Sequence, residues 1–181
     1  MTRRDELLHQ AMAWVTVHGI DASLRELADG ISTSHRMLIY HFGSKEGLLA
    51  EIVATVEAGQ RATLDALAAA DAPPVVSLRA FWAGLADPAM HPQIRLFFTL
   101  VAQALQGRPG TERLRATLVE PWIEVVSAHG VRRGLPVDVA RAQARLGMAV
   151  TRGLLLDLLA TGDRAGVDAA MEAFLAALVT E

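Results

Sequence analysis

The sequence predicts an all-α protein of about nine helices, and three observations support that prediction. Alanine, leucine and arginine are abundant and aromatic residues make up only 5% of the 181 residues, a composition that favours helix. Apolar residues recur at the spacing of a helix face, between Ser, Thr, Gly and Pro residues that start or end helices. No segment keeps the alternating pattern of a strand.

The composition also excludes several classes of protein. Because the chain has no cysteine, it has no disulfide framework, thiolate zinc site or cysteine nucleophile. The 17 basic and 20 acidic residues give a net charge of −3, which argues against a protein that coats nucleic acid but not against one that reads a short site. No signal peptide and no apolar run of about 20 residues is visible, so we expect a cytoplasmic protein outside the membrane.

Capping residues divide the N-terminal part of the chain into four helices. Gly19 follows the first helix, and Ser23, Ser34 and Ser44 precede the second, third and fourth. Glu26 completes a capping box with Ser23. The first helix is predicted over residues 4–18, the third over residues 35–41, and the fourth from Ser44 to about Ala70.

Proline and glycine clusters divide the remainder. The strongest break is the segment 71–74, which contains two adjacent prolines. Thr111 is predicted to cap a helix that Pro121 kinks, and residues 129–136 are predicted to form a loop. The helices after the break are predicted over residues 75–85, 93–106, 111–128, 138–160 and 164–179.

The second and third helices are short, lie under a longer first helix and are joined by about three residues. This is the helix-turn-helix arrangement, whose second helix enters the DNA major groove. One face is predicted to form a small core of Leu27, Ala28, Ile31, Leu38 and Phe42. Ile39 and Tyr40 fall outside that face, where they would suit a thymine methyl and a phosphate, or would instead cover the core of a dense bundle.

Residues 7–55 resemble the DNA-binding region of TetR-type transcriptional regulators. The resemblance rests on residues 23–28 (Ser-Leu-Arg-Glu-Leu-Ala), on His41-Phe42, and on residues 44–49 (Ser-Lys-Glu-Gly-Leu-Leu). Two positions depart from the family pattern: Ser32 stands where the turn usually has glycine, and Ile39 stands where a tyrosine is typical. The resemblance implies a helix-turn-helix DNA-binding domain over residues 1–50 and a helical ligand-binding and dimerisation domain over residues 51–181.

Roles in DNA binding follow from the resemblance by position. Arg36 would contact a guanine and Ile39 a thymine methyl, while Tyr40, His41 and Lys45 would contact phosphates. Two alternatives stay open: His41 would pack against the first helix, and the arginine at position 25 would pair with the aspartate at position 29. The complete set of predicted DNA-contacting residues is Ser23, Arg25, Ser34, His35, Arg36, Met37, Ile39, Tyr40, His41 and Lys45.

The last two predicted helices carry apolar stripes that suit a four-helix interface between two copies of the chain. The alternative is that part of each stripe is core within one chain. The predicted dimer residues are Leu146, Val150, Gly153, Leu154, Leu158, Val167, Ala170, Met171, Phe174 and Leu178.

Aromatic residues and methionines concentrate in the middle helices, where they would line a cavity for a small molecule or form ordinary core. The predicted ligand-lining residues are Phe81, Trp82, Leu85, Met90, Phe97, Phe98, Trp122, Met148 and Arg152. Because polar residues are scarce in this region, we expect a mainly apolar ligand, or none.

The resemblance implies a transcriptional regulator, most simply a homodimeric repressor that binds an inverted repeat in double-stranded DNA and is released by a small-molecule effector. The alternative is a helical protein–protein adaptor, or a ligand-binding protein that no longer reads DNA. The sequence has no serine triad, phosphate-binding glycine loop or HExxH motif, so we expect no enzyme, cofactor or metal site.

Overall fold

The structure, a computed structural model, describes residues 2–69 and 73–178. Within these ranges the chain forms ten α-helices, one 3-10 turn at Pro88–Met90 and no strand, which confirms the predicted all-α class. In chain order the helices are α1 (Arg3–His18), α2 (Leu24–Gly30), α3 (His35–Phe42), α4 (Lys45–Ala69), α5 (Pro74–Leu85), α6 (His91–Leu105), α7 (Glu112–Thr117), α8 (Glu120–Arg132), α9 (Val137–Thr161) and α10 (Arg164–Ala177).

The predicted caps of the N-terminal helices are confirmed. The Ser23 hydroxyl accepts from the backbone N–H of Glu26, and the Glu26 carboxylate accepts from the Ser23 N–H at 2.7 Å. This backbone hydrogen bond lowers the pKa of Glu26. The Ser34 hydroxyl accepts from the N–H three residues on at 3.2 Å, and the Ser44 hydroxyl does the same at 2.9 Å. Gly19 follows α1 with φ +80°.

The prediction of one kinked helix over residues 111–128 is wrong. The chain forms α7 and α8 instead, and Pro121 is the second residue of α8, where a missing N–H costs nothing. Thr111 directly precedes α7, as predicted for a cap, and its carbonyl accepts the Arg115 N–H at 3.0 Å. Its buried hydroxyl donates to the carbonyl of Arg108 at 2.6 Å. The predicted loop over residues 129–136 is also shorter, since α8 continues to Arg132. Two predicted helix ends, Ala70 and Val179, lie outside the described residues.

The chain divides into two compact units, and neither is a continuous stretch of sequence. The first unit comprises residues 1–57 and 92–117, and the second comprises residues 58–91 and 118–181. The first unit therefore contains α6 and α7 together with the helix-turn-helix. The predicted functional boundary at residue 50 stays a prediction, because packing does not say which part binds DNA or ligand.

The first unit is built around leucines and an isoleucine from five helices. Every member of the predicted small core is at most 9% exposed, which confirms that prediction. The largest fully buried side chains of this unit are Leu7, Leu38, Leu48, Ile52, Leu100 and Leu114. Leu100 and Leu114 come from α6 and α7, so the core of this unit includes residues far from its N-terminal helices in sequence.

The second unit packs α9 against α8 and α10, and α10 against α5. The indole N–H of Trp82 donates to the Asp168 carboxylate at 2.7 Å, and Arg79 pairs with Glu172 at 2.5 Å, so two polar contacts join α5 to α10. No helix in the described part of the chain is long and apolar enough to span a bilayer.

Candidate nucleic-acid interface

The turn between α2 and α3 has the backbone of a helix-turn-helix, although a serine stands where glycine is usual. The N–H of Thr33 donates to the Ala28 carbonyl at 2.9 Å, and the N–H of Ser32 donates to the Asp29 carbonyl at 3.1 Å. Ser32 has φ +55°, and it is the one described non-glycine residue with positive φ. A residue with a Cβ pays roughly 1–2 kcal/mol in this conformation, so packing of α2 and α3 imposes the turn.

Helix α3 buries one narrow edge and exposes the rest. Leu38 is fully buried and Phe42 is 9% exposed, which anchors the helix to the core of the first unit. Arg36 is exposed, Ile39 is 38% exposed and Tyr40 is 78% exposed. The exposed face thus offers a cation, an aliphatic group and a phenol to a partner, and these are groups that contact guanine, thymine methyls and phosphates.

The buried end of α3 is supported by a chain of charged residues. The Arg4 guanidinium lies 5.1 Å from the centroid of the Phe42 ring. Arg4 also pairs with one oxygen of Glu51 at 3.1 Å, and Arg113 pairs with the other at 2.6 Å. Glu51 therefore joins α1, α4 and α7 behind α3, and its side chain is 17% exposed.

The bend from α3 to α4 is tight because a glycine permits it. A Cβ atom at Gly47 would lie 2.3 Å from the Phe42 carbonyl oxygen, closer than any side chain allows. The bend sets the first turn of α4, with Lys45 as its first residue, beside the end of α3. The positive dipole end of this 25-residue helix, together with a lysine, suits a phosphate.

A second turn, between α6 and α7, packs against the same end of α4. Gly110 has φ +86°, and a Cβ atom there would lie 2.9 Å from the Ser44 hydroxyl oxygen and 3.1 Å from the Gly47 nitrogen. The Gly-Arg-Pro-Gly sequence of residues 107–110 is typical of a turn, but it does not indicate this contact. The only signal for it was the second glycine, because nothing local in sequence says what approaches it.

The structure gathers the predicted DNA-contacting residues at the start of α2, along α3 and at the start of α4. Exposed positions are held by Ser23, Arg25, Ser34, His35, Arg36, Ile39 and Tyr40, while Met37, His41 and Lys45 are half-buried. The His41 ring lies 5.0 Å from the Tyr40 ring and its Nε2 atom is buried without a hydrogen-bond partner among the described residues, which favours a packing role. Sequence reasoning missed Arg4, Glu51 and Arg113 as supporting residues.

The predicted dimer residues divide into surface and core. Exposed or half-buried positions are held by Leu146, Val150, Gly153, Leu154, Ala170, Phe174 and Leu178. The three others, Leu158, Val167 and Met171, are at most 3% exposed within a single chain. They form core between α9 and α10 and offer no surface to a second copy, so the alternative of core within one chain holds for them.

An exposed apolar stripe nevertheless runs along α9. Its residues follow one another at intervals of three and four, and each is exposed. Leu146 and Leu156 are each 54% exposed, far above what a core leucine shows. The stripe, called the α9 stripe below, consists of Val139, Ala142, Leu146, Ala149, Gly153, Leu156 and Ala160.

The predicted ligand-lining residues are divided between the two units. Phe97 and Phe98 belong to the first unit, and the other seven to the second. Trp82 and Leu85 are at most 6% exposed, and Arg152 donates to the Leu118 carbonyl at 2.8 Å.

The second unit does bring Phe81 and Trp122 together, with ring centroids 6.1 Å apart. The Arg61 guanidinium lies 5.6 Å from the Trp122 ring. Met90 and Met148 are half-buried. Residues 2–69 and 73–178 contain no cluster of three or more His, Asp or Glu side chains that would hold a metal ion.

A short α2, a tight turn and an exposed α3 define a helix-turn-helix protein of the DNA-binding kind. Residues 7–52 match the family model described as bacterial regulatory proteins, tetR family. The N-terminal region is therefore a TetR-family helix-turn-helix domain, as the sequence resemblance implied. No curated protein matches the chain.

Solved structures extend the likeness to the whole fold. A TetR-family transcriptional regulator from Pectobacterium atrosepticum is 22% identical with a TM-score of 0.72, and the match covers 98% of this chain and 95% of that one. A transcriptional regulator from Rhodococcus sp. Rha1 is 20% identical with a TM-score of 0.77, over 99% and 97% of the two chains. Salmonella enterica GusR is 18% identical with a TM-score of 0.70, over 98% and 95%. The chain has the fold of TetR-family transcriptional regulators.

Proposed function

We propose that this protein is a cytoplasmic repressor that binds a palindromic operator as a homodimer and leaves it when a small, mainly apolar ligand binds. The observation that carries the proposal is the exposed face of α3. Arg36, Ile39 and Tyr40 have no role in the core of their own unit, and they lie on the helix that reads DNA in this arrangement. Arg36 is assigned to a guanine, because a guanidinium can bond both acceptors on its major-groove edge.

The α9 stripe supports the homodimer. Two exposed leucines among alanines and a glycine, at coiled-coil spacing, suit close packing against a second helix. Small exposed residues continue on α10 at Gly166, Ala169 and Ala173. A twofold dimer would present two copies of α3 to half-sites about one turn of DNA apart, roughly 34 Å.

The contact of Phe81 with Trp122 supports a ligand with an apolar, ring-sized surface in the second unit. The guanidinium of Arg61 beside Trp122 offers one polar anchor. We assign the effector to this aromatic pair.

The test is selection of duplex DNA from a random pool by the purified full-length protein at moderate salt, followed by sequencing. Recovery of an inverted repeat is the expected result, and Arg36→Ala should lose the preference at one symmetric pair of positions. Failure to enrich any sequence, with the protein folded and dimeric, would overturn the proposal. Binding that ignores ionic strength would favour the adaptor alternative, because phosphate contacts make DNA binding strongly salt-dependent.

A further inference from the structure

The helix-turn-helix segment has the wrong charge for a DNA-binding protein. Residues 1–57 contain five arginines and lysines against eight aspartates and glutamates, for a net charge of −3. Phosphate contacts supply much of the affinity of DNA-binding proteins, so an acidic reader is at a disadvantage. If this segment binds DNA, positive charge from another part of the chain must compensate for its net charge of −3.

The same compact unit contains a second, basic segment. Residues 92–117 carry four arginines against one glutamate, for a net charge of +3 that cancels the charge of the first segment. Three of the four arginines, at positions 108, 113 and 115, lie in or beside the turn from α6 to α7. The positive charge is therefore concentrated at one end of this segment.

This turn is held at the DNA-facing end of α4. Gly110 packs directly on the Ser44 hydroxyl and the Gly47 nitrogen, the first turn of the helix whose start is assigned to a phosphate. The ion pair of Arg113 with Glu51, at 2.6 Å, adds a second attachment to α4. The position of the turn is thus fixed relative to α3 and α4 by two separate contacts within one unit.

The other two arginines of this turn can bind a ligand, because Arg113 alone of the three is held in an ion pair. Arg108 and Arg115 are exposed, and neither forms an ion pair with any described residue. Both border one shallow recess, so their side chains lie on the same side of the turn. Glu112 shares the recess, but its carboxylate accepts the Gly110 N–H at 3.2 Å and so belongs to the turn itself.

We propose that Arg108 and Arg115 bind backbone phosphates of the DNA beside the half-site that α3 reads, so that the DNA interface extends beyond the helix-turn-helix. The inference rests on the proposed function. A planar guanidinium bonds two phosphate oxygens at once, and exposed arginines lose little by turning towards a phosphate. These contacts carry no sequence information and add affinity to every site alike.

The experiment compares the full-length protein with the double variant Arg108→Ala/Arg115→Ala on two duplexes: the one recovered by selection and a scrambled duplex of equal length. We expect both affinities to fall by a similar factor, about tenfold at moderate salt. The slope of log K against log salt should become shallower by roughly 3.6 for the dimer, or about 0.9 for each of the four lost phosphate contacts. Arg108→Lys/Arg115→Lys should retain most of the slope, because the charges remain.

The control is Arg95→Ala, which removes an exposed arginine from the same basic segment, about 15 Å away along α6. It should change neither affinity nor slope. An equal loss in this control, or a double variant that binds like the parent protein, would overturn the inference and leave the proposed function intact. If the parent protein binds neither duplex at any salt concentration, the proposed function fails and this inference fails with it.

Discussion

Helices α3 and α9 both leave a broad face uncovered, but the chemistry of the two faces differs. α3 exposes a histidine, an arginine, an isoleucine and a tyrosine within its eight residues. α9 exposes only apolar or small residues along its stripe, at intervals of three and four over almost all of its 25 residues. The face of α3 is short and mixed, whereas the stripe of α9 is long and uniform.

The difference shows that the residue types and the length of an exposed helix face together indicate which kind of partner the face suits. A mixed polar and aromatic face over two turns matches base edges and phosphates, which alternate over a few ångströms. A uniform apolar stripe with small residues over about six turns matches another helix, because close backbone approach needs small side chains along the whole contact. The predictions below test each half of this comparison.

The largest effect is expected from breaking the α9 stripe. Leu146→Arg/Leu156→Arg should convert a dimer to a monomer, since two unpaired charges would be buried in the interface. Operator affinity should fall at least about a hundredfold, because the second half-site contact is no longer intramolecular. Light scattering after gel filtration and DNA titration measure the two effects. Val131→Arg, at a 40% exposed site on α8, is the control, and dimers that survive the double change would contradict the assignment.

On α3, Arg36→Ala should weaken operator binding by about 1–3 kcal/mol per half-site and relax the sequence preference at one base pair of each half-site. The reason is the loss of a bidentate contact to guanine. Lys45→Ala serves as the matched change, since loss of a phosphate contact should weaken all sequences alike. Titration of a panel of single-base operator variants separates the two outcomes. Unaltered specificity in the Arg36 variant would remove that residue from base readout.

The support behind α3 is tested by a pair of glycine substitutions. Gly110→Ala should destabilise the protein by about 1–3 kcal/mol, because the left-handed φ strains alanine and the new Cβ meets Ser44 and Gly47. Gly107 has a comparable φ of +70°, but a Cβ atom there would meet nothing within 4 Å. Gly107→Ala therefore measures the backbone strain without the collision of the Cβ atom. Urea unfolding gives the free energy of each variant. Equal losses in the two variants would mean that the close contact at Gly110 contributes nothing.

The smallest expected effect concerns the helix that packs behind α9. Burial lowers the pKa of His129 on α8, with a further contribution from Arg132. The folded state therefore holds fewer protons than the unfolded state, and stability declines as the pH falls through the usual histidine range near 6.5. His129→Gln should reduce that decline between about pH 7.5 and 5.5, as measured by urea unfolding at each pH. His9→Gln, on an exposed part of α1, should leave the decline unchanged.

The sequence predicted well those features that depend on neighbours within four residues. The caps at Ser23, Ser34 and Ser44 and the buried edge of α3 are examples, because capping boxes and helical spacing are local. The sequence also located the departure at Ser32, where the backbone keeps the conformation usual for glycine.

Features that depend on distant neighbours were beyond prediction. Leu158 on α9 and Val167 and Met171 on α10 belong to apolar patterns that suit an interface. Such a pattern alone cannot say whether the same chain or a second one covers these residues. The ion pair of Glu51 with Arg113 joins residues 62 positions apart, which no local pattern reports.

The first unit consists of two separate segments of the sequence, and this has a consequence for its synthesis and for engineering. Fully buried Leu100 and Leu114 belong to the same core as α1 to α4, so the core of the first unit is complete only after residue 117 has been synthesised. In a chimaera that takes only residues 1–50 from a relative, the buried side chains of α6 and α7 would pack against N-terminal helices of a different sequence. A graft that carries residues 92–117 along with the N-terminal helices would move the whole compact unit, and with it the arginines that balance its charge.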